Sequence, residues 1–126
     1  METKTSNKPK YDLEERTARF ARDARAFVSK LPKNTAFIED GKQLVRSSGS
    51  VGANYIEANE SLSKKDFVMR AKICRKEAKE SRYWLQMFEN LPTGLAGERD
   101  KLIQESTELL RIFPMDTKDT GILVLP

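Results

Sequence analysis

Residues 46–60, RSSGSVGANYIEANE, decide how this chain folds. The segments on either side carry the three-and-four apolar spacing of long amphipathic helices, yet this one holds two glycines and three serines in fifteen residues. An interior glycine costs a helix about 1 kcal/mol relative to alanine, so so small a strip needs an offsetting gain. Close approach of a partner helix supplies one. A break or kink at Gly49 and Gly52 is the competing reading. The Gly-x-x-Gly spacing lacks the lysine and the preceding strand of a phosphate-cradling loop, which sets that chemistry aside.

Working outward, the helix containing this strip has Asn34 or Thr35 as its cap, and its seam reads Gly41, Leu44, Ser48, Val51, Tyr55, Ala58 and Leu62. Ser63 caps a third helix, with Asp66 three residues on and a seam of Phe67, Ala71, Cys74, Ala78, Ser81, Leu85 and Phe88. If the two form a hairpin around residues 62–63, Val51 meets Cys74 and Ser48 meets Ala78. Small side chains then face small ones, which favours the unbroken helix. A first helix starts at Asp12, with Glu15 completing a capping-box pattern, and continues through Leu13, Thr17, Phe20, Ala24, Phe27 and Leu31. It ends there because Pro32 disfavours helical geometry in the residue before it. A fourth follows the turn Leu91-Pro92-Thr93-Gly94, with Thr93 as cap and Leu95, Leu102, Leu109 and Ile112 or Phe113 on its seam, and stops at Pro114.

The spacing predicts an all-α, up-down-up-down antiparallel four-helix bundle over residues 12–114. It also predicts a disordered tail over residues 1–11 and a C-terminal tail over 115–126. The apolar end of that second tail, Ile122 to Leu125, can pack on the bundle, dock on a neighbour or hold a partner. Phe37, Ile38, Val45, Ile56, Ala21 and Val28 flank the seams; either a wide core or self-association absorbs them.

At 126 residues the chain has room for one domain and one core. No apolar run approaches the roughly 18 residues of a membrane span, and no apolar segment follows the basic first residues as a secretory signal would require. The single cysteine, Cys74, has no internal disulfide partner, so a reducing cytoplasm is the expected compartment. The net charge of +4 points to a polyanionic partner. Histidine is absent, which removes the commonest neutral-pH acid-base group and metal ligand. No catalytic residue, cofactor or metal is expected, and the chain reads as something other than an enzyme.

Two groups of polar residues stand out. On the third helix a second stripe runs Ile73, Glu77, Glu80, Trp84, Met87, and the hairpin brings Arg46, Ser47 and Ser50 near its carboxylates. Arg46 is expected to pair with Glu80 or Glu77, with Asn54 close by. Paired carboxylates can act as general acid and base, but an adjacent arginine and several hydroxyls keep both ionised, as a structural clasp requires. Away from the seam, Lys65, Lys72, Arg75, Lys79 and Arg82 recur at helical spacing with Lys76 beside them, and the first helix adds Arg16, Arg19, Arg22 and Arg25. These are candidate nucleic-acid contacts; a merely solvated outer face has the same composition, and both readings stand. With no aromatic residue read among them, base stacking is not expected.

The run RSSGSVGANYIEANESLSKKDFVMRAKICRKEAKESRYWLQMF, with FVSKLP before it and ELLRIF after it, resembles a family of four-helix-bundle proteins. That family was first noticed as products of intervening sequences inside bacterial 23S ribosomal RNA genes. The likeness spans about residues 20–113 and implies an up-and-down bundle assembled as a homopentameric ring with a central opening. The family also looks related to the accessory variability determinant of diversity-generating retroelements. That relation implies RNA or DNA, and a protein such as a reverse transcriptase, as partners. A ring would repeat the basic face on every subunit, making phosphate contact multivalent and salt-dependent. The alternative is a structural or protein-binding oligomer with no nucleic-acid role.

Overall fold

The computed structural model describes residues 12–113. Both expected tails, and Pro114, lie outside the described residues. Four helices follow one another: α1 (Leu13–Ser29), α2 (Thr35–Asn59), α3 (Lys64–Leu85) and α4 (Thr93–Ile112). The first three start on side-chain caps. Asp12 accepts from the Glu15 backbone N–H, Asn34 from Phe37, and Ser63 from Asp66. Each satisfies one of the orphan donors of a first turn. Glu15 does not complete a reciprocal box; its carboxylate takes Arg22 instead. The fourth helix begins differently from the expectation. Pro92 precedes it with no side-chain cap bond, and Thr93 is already its first helical residue.

Every neighbouring pair is antiparallel. Along α1 and α2, Gly41 lies against Val28, Gly52 against Thr17, and Asn59 bonds Glu14. Between α2 and α3, Arg46 reaches Glu80 and Asn54 reaches Arg70. Arg82 bonds Thr107 across α3 and α4, and Arg99 bonds the Phe88 carbonyl. Arg16 meets Glu105, while Lys30 meets Glu98, across α1 and α4. The result is an up-down-up-down bundle in which α2 and α3 share the most extensive contact and α1 and α4 the least.

The core is narrow at its waist and wide at its ends. Ser48, Val51, Ala71, Cys74, Ala78 and Ser81 are all fully buried in the middle of α2 and α3. At one end Phe88 takes the edges of Phe27 and Phe37, each with ring centroids 5.4 Å away. At the other, Tyr55 packs on Phe113 at 6.0 Å. Small residues thus let the backbones converge where large ones would hold them apart.

The glycines of the opening strip do a different job from the one expected. α2 runs unbroken through them, but they face α1 rather than α3. A Cβ on Gly52 would stand 2.9 Å from Thr17 Oγ1, one on Gly41 3.0 Å from Val28, and one on Gly49 3.3 Å from the Arg25 guanidinium. The strip therefore has two sides, with glycines against α1 and Ser47 against α3. Two seam positions also move. Leu62, expected on the α2 seam, lies past the end of that helix and is 99% exposed; Val68 is buried on α3 in place of Phe67.

Candidate nucleic-acid interface

The face of α3 opposite its core stripe carries Lys65, Lys72, Lys76 and Lys79. Steps of seven, four and three place them in one row along the helix, and all four are exposed. Among the described residues none of the four forms an ion pair with a carboxylate. The other two basic candidates on this helix turn elsewhere. Arg75 is half-buried and donates to the Leu110 carbonyl. Arg82 donates to Thr107 Oγ1 at 3.3 Å. Both tie α3 to α4, because their positions lie at the α4-facing edge of the stripe.

Tyr83 completes the row. It follows Lys79 by four residues and Lys76 by seven, is 52% exposed, and stands edge-on to Trp84 with ring centroids 4.9 Å apart. An exposed aromatic in line with lysines has the geometry that base stacking uses. Sequence reasoning missed it although the spacing alone carries the signal.

The arginines of α1 divide in the same way. Arg16 donates to both oxygens of Glu105, at 2.7 and 2.9 Å, and to Glu108 at 2.8 Å. The hydrogen bond to Glu105 is the main cause of its raised pKa. Arg22 pairs with Glu15 and Arg25 with the Ala21 carbonyl. Arg19 is exposed.

Beside the lysine row, on the α2 side, lies the polar cluster. Arg46 bonds Glu80 through Nη2 and lies 3.4 Å from Glu77 through Nη1. The Trp84 indole N–H also donates to Glu80, at 3.1 Å. Burial alone would raise the Glu80 pKa, but these two hydrogen bonds outweigh it and hold the carboxyl below its ordinary value. Deeper in, the Ser81 hydroxyl is 2.8 Å from Ser47 Oγ and 2.9 Å from the Glu77 carbonyl, with Glu77 itself buried. Ser50 and Asn54 stand apart from this cluster. The Asn54 amide donates to the Ser50 carbonyl and accepts from Arg70, one to two turns further along α2. Chemically, the cluster is a pair of carboxylates held by cation, indole and hydroxyl, with no histidine to exchange a proton with.

No helix of the described residues is long and apolar enough to cross a membrane. Compared with known proteins, the chain matches the family model described as 23S rRNA-intervening sequence protein over residues 10–113. It is also similar to the crystal structure of a protein of unknown function from the S23 ribosomal protein family of Bacteroides thetaiotaomicron VPI-5482. Identity is 27%, with a TM-score of 0.65 over 79% of this chain and 93% of that one. None of the curated proteins compared with it matches. A match that runs through all four helices, the small-residue waist and the α3 face places the chain in a family: it belongs to the 23S rRNA-intervening sequence proteins.

Proposed function

We propose that this chain is a non-enzymatic, ring-forming bundle that binds the backbone of RNA or DNA through the outer face of α3, acting in the cytoplasm as a ribonucleoprotein adaptor. The observation that carries the reading is the row Lys65, Lys72, Lys76, Lys79, exposed and without an ion pair among the described residues, with Tyr83 in line. The chain's arginines at 16, 22, 46, 75 and 82 all bond to groups on the bundle itself. That leaves the α3 lysines as the row of cations open to phosphate on this face. A homopentamer, the assembly the family resemblance implies, would multiply this row fivefold. Light scattering tests it against the 14.4 kDa chain mass. The Glu77–Glu80–Arg46 group then serves as a clasp between α2 and α3 rather than as an acid-base pair.

Replacing Lys65, Lys72, Lys76 and Lys79 together by glutamine tests the reading, with Arg22, Lys33, Lys42 and Lys101 replaced likewise as a control of equal charge. The first variant should bind generic RNA or DNA about tenfold or more weakly than wild type, and the control should lose much less. Equal losses would overturn the assignment to α3. A second reading has the same face hold a protein, such as a reverse transcriptase. Met69, Tyr83 and Met87 favour it, being exposed apolar side chains on that side. It predicts that neither variant changes nucleic-acid binding.

A further inference from the structure

Val68, Met69 and Ile73 form an apolar strip on α3, in a recess of about 840 Å³ rimmed by Lys65, Lys72 and Lys76. Met69 is 56% exposed. Ile73 is half-buried beside it, and Val68, 4% exposed, forms the floor of the recess. An apolar surface framed wholly by lysines suits an apolar segment with acidic neighbours, and the chain's own sequence contains one. Residues 122–125 read ILVL, and Asp116 and Asp119 precede them with Lys118 the lone cation.

That segment is within reach. Because α4 runs antiparallel to α3, with Leu110 at Arg75 and Phe113 against Tyr55, the chain leaves the bundle at the end where α3 begins. Residues 114–121 can span up to about 26 Å when extended. Met69 lies six residues from Arg75, about 9 Å along the helix. So short a connection gives a segment of the same chain an effective concentration in the millimolar range, well above that of a second copy in dilute solution.

We infer that residues 122–125 dock on the Val68–Met69–Ile73 strip of their own chain and there compete with polyanions for Lys65, Lys72 and Lys76. The competition rests on the phosphate-binding reading of α3; the docking does not.

The test uses the full chain with Thr120→Cys carrying a spin label and with methyl-labelled methionines. Cys74 stays unlabelled, since it is buried and its thiol is pushed up to about 12. The Met69 methyl signal should broaden while Met87 does not, and adding Leu123→Asp should abolish the effect. An unbroadened Met69 overturns the docking. Broadening seen only when spin label and methyl label are on different chains overturns the same-chain occupant in favour of a second copy. In the binding arm, Leu123→Asp should hold single-stranded RNA about tenfold more tightly than wild type if the segment covers the face some nine-tenths of the time. Equal affinities overturn the competition. If neither protein binds RNA, the phosphate-binding reading fails with the competition, and the methyl signals alone decide the docking.

Discussion

Gly52 shows how tightly α1 and α2 are joined. A methyl added there meets the Thr17 hydroxyl, which cannot swing away freely because it already bonds the Leu13 carbonyl at 2.7 Å. Gly52→Ala should gain about 1 kcal/mol in helix propensity yet destabilise overall by about 1–3 kcal/mol through overpacking. Adding Thr17→Ala should restore part of the loss in thermal denaturation; no recovery would mean the clash is not with that side chain. Glu80 makes a pH prediction. Its folded-state pKa lies below the ordinary value near 4.5, so its stabilising effect is present above that value and is lost as pH falls through the lower, folded one. Glu80→Gln should cost more at pH 7 than the ~0.5 kcal/mol of a typical surface change, and the gap from wild type should narrow as pH falls through the depressed folded-state pKa. A gap that persists in acid would show that the carboxylate charge is not what matters. The sequence spacing placed Arg46 beside these two glutamates, because an antiparallel register puts one helix turn opposite another. It could not separate Asn54 from them, since a stripe says which face a residue is on and not which neighbour its amide finds first.

At the scale of the helices, Arg82 and Lys79 lie three residues apart and serve different ends. Arg82→Gln should lower stability by about 1 kcal/mol through loss of the Thr107 contact between α3 and α4. Lys79→Gln should stay within about 0.5 kcal/mol of wild type. Equal melting temperatures for the two would remove the distinction between a tying arginine and a free lysine row. Three of the four helix starts were legible because Asp12, Asn34 and Ser63 accept a hydrogen bond that few other residues can. The fourth was not, as Pro92 stiffens the entry to α4 without a side-chain acceptor and leaves Thr93 inside the helix. Leu62 misled for a related reason. The heptad rhythm of α2 continues in the sequence beyond Glu60, where the helix itself has ended. The exchange of Phe67 for Val68 is a one-residue phase error, within which periodicity cannot choose. Tyr83 was overlooked because aromatic residues were sought between the lysines and not at the end of their row.

For the whole molecule, a net charge of +4 says little until the cations are sorted by what they touch. Arg16, Arg46, Arg75 and Arg82 join helix to helix across the bundle, and the lysines of α3 are presented outward on a scaffold stiffened by the serine and alanine waist behind them. If those lysines meet phosphate, binding must weaken with salt in proportion to the counterions released. The salt dependence of binding to single-stranded RNA therefore tests the account most directly. Four contacts on one subunit predict a slope of log K against log salt of about −2.8, steeper if several subunits of a ring engage one strand. The Lys65/Lys72/Lys76/Lys79→Gln protein should give a slope close to zero. A wild-type slope near zero, or an unchanged slope in that variant, would contradict it.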